Sequence, residues 1–409
     1  MTTATDVEFK EATLPNGLTI QAEIVPGALT AASGFFFRTG ARDEDPAVMG
    51  VSHFLEHMMF KGTETRTAED VNRGFDDLGA NHNAFTTTEI TAYYAHVPFD
   101  ALDDSLDILA DILRPSLRTE DFDEEKGVIL EEIAMYDDQP FWVLFEQGLE
   151  RYFGSHRLAH RVLGTKQTVS DLRPEQMREY FDRRYSADNG VLVASGRVDF
   201  DHLVARAEEL CGHWPKGEPG RNHEDAVFTP GELEVDLPDT QQRYIMLMSP
   251  SIGIDNPAKY AVAQAFRALG DTEGSTFFWE LVETGLAEEA SMHLQSHDGC
   301  GEAIATLVCG SENAEEVEAI ARREMSRLAE TGDEDALIRS RAKIATAAML
   351  ASERPMGRMT RLGSRWSYQL PYATLDHEIE KIGAVTLADI HAYLDAHPLD
   401  DLLAVRGGG

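Results

Sequence analysis

Cysteine is nearly missing from this 409-residue chain: there are three, Cys211, Cys300 and Cys309. None of their spacings is C-x-x-C, so neither a disulfide framework nor a cysteine metal site is expected, and a reducing, cytoplasmic setting is the simplest inference. Basic side chains are also short, 36 Lys and Arg against 72 Asp and Glu, for a formal charge of −36. That balance argues against nucleic acid and anionic lipid as partners. The acids are spread along the whole chain, which favours a solvated surface over an acidic cavity that attracts basic peptides. No apolar run reaches the ~18 residues of a membrane-spanning helix, so none is expected. The opening stretch, MTTATDVEFKEATLPNG, has no basic n-region and no apolar h-region. It is not rich in Arg either, so neither a secretory signal nor a transit peptide is expected.

What is present suits a soluble globular protein: 43% of residues are hydrophobic. At about 100–200 residues per domain, the length predicts two or three domains. Residues 215–231, PKGEPGRNHEDAVFTPG, are rich in Pro, Gly and charge and carry no apolar period. They read as a linker between a first domain at 1–214 and a second at 232–409. In the first domain, Asn16-Gly17 signals a turn before apolar strands at 18–25 and 29–38. A Thr- and Tyr-rich strand or hairpin arm follows at 81–97 and a short strand at 189–195, with amphipathic helices between. The second domain repeats this order of strands and then helices. The pattern predicts an α+β fold of two duplicated domains, each an antiparallel-rich sheet packed by helices.

One stretch carries chemistry. Residues 46–61, PAVMGVSHFLEHMMFK, read as one helix with His53, Glu56 and His57 on it. Histidines at i and i+4 project from one face, so both imidazoles can reach a single ion. Glu56 lies near the same face, within reach of a water at that ion. The spelling H-x-x-E-H reverses the commoner H-E-x-x-H zinc-peptidase helix. Burying these three groups among Val51, Phe54, Leu55, Met58, Met59 and Phe60 would be costly without a partner, and a metal supplies one.

A catalytic zinc site takes three protein ligands. The predicted helix at 119–138 offers Glu124, Glu125, Glu131 and Glu132 for the third. At about 100° per residue, Phe122, Ile129, Ile133 and Tyr136 define its apolar stripe. Glu125 and Glu132 fall at the edge of that stripe, whereas Glu124 and Glu131 point to solvent. Glu132 is therefore expected as the third ligand, and Glu125, two turns earlier, as a group that steadies a ligand or tunes its charge.

With these residues in place, the chain resembles the M16 (pitrilysin) metallopeptidases, of the short type similar to mitochondrial processing peptidase. The likeness rests on His53-Phe54-Leu55-Glu56-His57, on Glu132 in EKGVILEEI, on GANHNAFTTTEITAYYAHV, and more loosely on GSTFFWELVETGLAEEA in the second half. The resemblance implies a zinc endopeptidase with one ion per chain, held by His53, His57 and Glu132, and with Glu56 as general base. It implies that the strand with Asn83, Ala84 and Phe85 binds peptide by edge pairing. It also implies roles for Arg361 and Tyr368, seven apart on a predicted helix at 355–369, as donors to the reacting carbonyl. Short members of the family enclose a chamber between two chains. Because this chain carries both the metal motif and the Arg/Tyr spacing, a homodimer with shared sites is expected, acting on unfolded peptides. Two rivals remain: a structural subunit of the same fold, and a catalytic subunit that needs a different partner chain.

Overall fold

Apolar residues that alternate along a strand bury both faces of a sheet only if something covers each face, and this governs the architecture. The computed structural model describes residues 7–217, 219–221, 224–238, 240–328 and 334–409. Positions 218, 222 and 223 of the expected 215–231 linker lie outside the described residues.

The first sheet is built from β1 (Glu8–Thr13), β2 (Thr19–Ile24), β3 (Thr30–Phe37), β4 (Asn81–Thr86), β5 (Thr91–Pro98) and β6 (Gly190–Gly196) in the spatial order β1-β2-β6-β3-β5-β4. The second contains β7 (Gly231–Val235), β8 (Gln242–Ser251), β9 (Glu289–Ser296), β10 (Gly301–Gly310) and β11 (Leu403–Gly407), ordered β7-β11-β8-β10-β9. Strand β2 runs parallel to β6 and β7 parallel to β11, and every other pairing in both sheets is antiparallel. Without β1, the two topologies superpose strand for strand, which is the duplication expected from the order of elements. Strand β1 was not foreseen. Its sequence EFKEAT is polar and half exposed, as befits an edge strand with one wet face.

In β3 the period of two is explicit. Ala31, Phe35 and Phe37 join one apolar cluster, with Val51, Phe54, Leu55 and Met58 of the helix Val51–Met59. Ala32 and Phe36 join another, on the opposite face, with Met359 and Leu362 of the helix Pro355–Ser367. That helix lies close: a Cβ on Gly363 would fall 2.5 Å from the Phe36 ring.

The contiguous division at 1–214 and 232–409 is therefore corrected. One compact unit comprises Met1–Ala134, His160–Asn222 and Leu350–Tyr372, the other Met135–Ala159, His223–Met349 and Ala373–Gly409. Each half of the chain lends a helix to the other half's sheet. In the second unit the helix Pro140–Phe153 does so, with Gly148 against Met246 and Leu144 in a cluster with Met248 and Val405. Amphipathic spacing shows that a helix has a buried face but not which sheet it covers. Arg361 and Tyr368 consequently belong to the first unit, not to a domain at 232–409.

Candidate metal centre

All residues of the candidate site lie in the first unit. The expected helix at 46–61 is shorter, Val51–Met59. It is preceded by a 3₁₀ turn at Pro46–Val48 and by Gly50 at φ 93°, a left-handed conformation that glycine adopts without strain. Gly50 offers no side-chain cap. The buried Glu44 carboxylate takes that role, accepting the N–H groups of Gly50 at 2.7 Å and Ser52 at 2.8 Å. Burial pushes this carboxyl up to about 8 against the lowering effect of those hydrogen bonds, so it serves as an acceptor for the unpaired N–H groups of the helix N-terminus rather than as a fixed anion. The motif helix is thus fixed at its first turn, one residue before His53.

The long helix Thr119–Asp137 runs beside it and buries Phe122, Glu125, Ile129 and Ile133, while Glu124 and Glu131 are exposed. This is the helical phase expected from the sequence. It brings Glu132 to the histidines: its Oε2 lies 3.8 Å from Nε2 of His53 and 3.8 Å from Nε2 of His57. One ligand atom from each residue lies within 4.8 Å of the other two, and no other such group occurs among the described residues. A separation of 3.8 Å is too long for a hydrogen bond. It is close to the ~3.4 Å edge of a tetrahedron whose arms are about 2.0–2.2 Å, the zinc–nitrogen and zinc–oxygen bond lengths. Two imidazole nitrogens and a carboxylate are also the donor types that zinc takes. The residues fit a divalent ion on geometry and chemistry alike.

The surrounding groups set the charge. Burial, with the neighbouring His57, pushes the His53 imidazole down to about 4, so it is neutral and offers a lone pair at physiological pH. Burial also acts to lower His57. The hydrogen bond to Glu125 and the negative charges of Glu125, Glu132 and Glu56 outweigh it, and the net direction is upward. A divalent cation answers the same negative field that otherwise favours a proton. Burial raises the Glu56 carboxyl against the opposing hydrogen bond from Thr86, in the direction a proton acceptor needs.

Glu125 has the expected supporting place. It is buried, and its Oε1 lies 2.8 Å from Nδ1 of His57. With Nδ1–H donating, Nε2 of His57 is left as the ligand atom. Lys61 forms an ion pair with the other Glu125 oxygen. Those two partners outweigh burial and hold the Glu125 carboxyl below its ordinary value. Lys61 was not singled out from the sequence, although it stands four residues after His57, the spacing of neighbours on one helical face. Glu125→Gln is expected to weaken zinc binding by about 10- to 100-fold while the fold persists. A competition titration with a chromophoric chelator, alongside circular dichroism, checks it.

Asn83, Ala84 and Phe85 lie on β4, paired with Tyr94, Tyr93 and Ala92 of β5 and, among the described residues, with no strand on the far side. Asn83 is exposed, and its Oδ1 accepts the N–H of Ala84 at 2.8 Å. The stretch at 81–97 is a hairpin, β4 and β5, rather than one strand.

Arg361 and Tyr368 are not brought to the cluster. The motif helix packs on one face of the first sheet and Pro355–Ser367 on the other. Arg361 pairs with the buried Glu23 of β2, which also takes Arg358 at 2.9 Å and the Tyr372 hydroxyl at 3.1 Å. Tyr368 caps the helix C-terminus and packs on the apolar cluster with Phe36. Within one chain these two residues hold the helix to the sheet. No local pattern signals this, because the Glu23 partner lies more than 300 positions away.

Two duplicated α+β units with an H-x-x-E-H helix answered by a distant glutamate define a metallopeptidase architecture. The chain belongs to peptidase family M16: the profile described as Insulinase (Peptidase family M16) matches residues 21–166, and that described as Peptidase M16 inactive domain matches residues 171–344. His53, His57 and Glu132 fall within the stretch that the first of these profiles matches. The chain is 32% identical over 396 residues to an uncharacterized zinc protease of Streptomyces coelicolor, covering 94% of this chain and 86% of that protein. It is 28% identical to one of Bacillus subtilis, covering 94% of each. The fold matches the crystal structure of a peptidase M16 inactive domain from Pseudomonas fluorescens, with a TM-score of 0.92, 18% identity and 98% of each chain covered. It also matches a protease from Helicobacter pylori, with a TM-score of 0.90 at 16% identity, covering 98% of this chain and 100% of that one. Among the described residues no helix is long and apolar enough to cross a membrane.

Proposed function

We propose that this chain is a zinc-dependent endopeptidase that cleaves unfolded peptides, with one ion per chain. The observation that carries the reading is the convergence of His53, His57 and Glu132 beside Glu56, with the Glu132 Oε2 3.8 Å from each histidine Nε2 and one ligand atom of each residue within 4.8 Å of the others. The naming of its relatives as zinc proteases supports the choice of metal. A zinc ion in such a site supplies Lewis acidity toward a carbonyl and lowers the pKa of water.

The chain's own groups do the rest. His53 and His57 direct Nε2 lone pairs, and Glu132 adds a negative charge. Glu125 keeps His57 in the tautomer that this requires. Glu56 takes a proton from the attacking water and passes it to the leaving amine. The edge of β4 offers backbone groups to an extended peptide along Asn83, Ala84 and Phe85, with the Asn83 side chain giving up the Ala84 N–H as the peptide pairs, and without strict demand on the peptide's side chains. Edge pairing needs an unfolded segment, which is why peptides rather than folded domains are the substrate class.

For the assembly we infer a dimer that encloses the sites in a chamber, in a cytoplasmic setting. In the homodimer reading, Arg361 and Tyr368 of one chain would donate hydrogen bonds to the reacting carbonyl oxygen in the other chain's site. The engagement of Arg361 by Glu23 favours a second reading, in which these residues are structural and a different partner chain completes the site. Cleavage of a quenched peptide by the purified chain separates the two. A homodimer is active alone, and mixing Glu56→Gln chains with Arg361→Ala chains restores activity in the mixed dimer. The second reading predicts little turnover by the chain alone and no rescue on mixing. A chain that binds no zinc under either protocol would return it to the structural-subunit alternative.

A further inference from the structure

The motif assigns Glu56 its role but not what holds it. A general base must present one oxygen to water in a fixed direction, and a free glutamate side chain has three rotatable bonds. The structure contains a device for this outside the motif. The Thr86 hydroxyl donates to Oε2 of Glu56 at 2.5 Å. Thr86 is the last residue of β4, paired with Thr91 of β5 just before the turn that joins them. Its backbone is held there: the Thr87 N–H donates to Ile90 O at 2.8 Å, and Thr87 O accepts the Ala41 N–H at 3.2 Å from the loop before the motif helix. The hydroxyl is thus carried by a braced strand end, and it takes one carboxylate oxygen while leaving the other.

We propose that Thr86 is a positioning residue for the base. Its hydroxyl fixes the Glu56 carboxylate and ties that carboxylate to the same strand whose open edge receives the peptide. The proposal rests on the peptidase reading above. A peptide that pairs with β4 would then be registered against the base by three residues of one strand, Asn83 to Phe85, next to Thr86 itself. A β-branched residue suits this place, since Thr combines a stiff χ1 with a hydroxyl donor.

Thr86→Val keeps the shape and removes the donor; Thr86→Ser keeps the donor. With zinc-loaded protein and a quenched peptide, in whichever assembly gives wild-type turnover, Thr86→Val is expected to lower kcat by about 10- to 100-fold, the scale of a misplaced catalytic group. KM and zinc content should stay within about twofold of wild type, and Thr86→Ser should recover kcat to within about threefold, since the hydroxyl alone is claimed to act. In a Glu56→Gln background, Thr86→Val should leave the binding of a labelled peptide, read by fluorescence anisotropy, unchanged. An unchanged kcat in Thr86→Val overturns the proposal. So does a loss of kcat that Thr86→Ser shares, or a loss that follows weakened zinc or peptide binding. If zinc-loaded wild type cleaves nothing under any protocol, the peptidase reading fails, and the proposal with it. Cleavage by wild type with an indifferent Thr86→Val sinks the proposal alone.

Discussion

Glu56→Gln is expected to lose peptide hydrolysis while keeping its metal. The substitution preserves the volume and the Thr86 contact but removes the proton acceptor. Glu56 is not among the three atoms that converge, so zinc content should stay at the wild-type level. General base catalysis contributes about 10²–10⁴ in rate. At about 1.36 kcal/mol per decade this is roughly 3–5 kcal/mol of transition-state stabilisation. Turnover of a quenched peptide together with elemental analysis reads both quantities. A variant that keeps more than about a tenth of wild-type kcat would remove Glu56 from the proton-transfer role. One that lost its zinc would turn it into a ligand.

The second large effect belongs to Glu132→Ala. Structural zinc sites bind with about 10–16 kcal/mol over four ligands, so one ligand is worth roughly 3–4 kcal/mol, or about 10²- to 10³-fold in affinity. Zinc binding should weaken by that much, and hydrolysis at stoichiometric zinc should disappear. Glu131→Ala is the matching control. Glu131 is the preceding residue on the same helix and is exposed, so it should leave zinc affinity and turnover near wild type. The pair tests the helical phase itself. Equal losses in both variants would point to a generic electrostatic effect of surface acid, and no loss in Glu132→Ala would leave the histidine pair without its third ligand.

Much of this was legible in the residues because local periodicity decides it. The phase of Thr119–Asp137 separates Glu125 and Glu132 from Glu124 and Glu131, and the structure keeps that separation. At the next helix, Ala68–Asp77, Thr67 followed three residues on by Asp70 has the pattern of a capping box, and the Thr67 side chain accepts from the Asp70 N–H. The order of strands gave the duplication, and the two sheets repeat it.

What escaped was non-local or weakly patterned. The helix Leu375–Ala384 lies in a polar stretch with little apolar period, and residues 276–282 are helical but widen into a π-helical turn at Phe278–Val282, which side-chain spacing does not signal. The exchange of helices between halves could not be read, because burial spacing names a face and not a partner. Arg361 is an example. The resemblance gives it and Tyr368 a role at a partner chain's site, and within one chain Glu23, a carboxylate in the sequence TIQAEI, holds the arginine on the opposite side of the sheet from the histidines. A buried carboxylate that takes two guanidinium groups and a phenol has its lone pairs satisfied, which is what burial of a charge requires. Thr86 and Lys61 were missed for a different reason: each acts on a motif residue from outside the motif.

The most direct test is a zinc titration of the stripped, purified protein, with any partner chain it needs, followed by cleavage of a quenched peptide. Activity should be absent after chelation and rise linearly to a plateau at one zinc per H-x-x-E-H chain. Hydrolysis that survives complete removal of metal, or a chain that takes up no zinc, would contradict the assignment of His53, His57 and Glu132 to a catalytic ion.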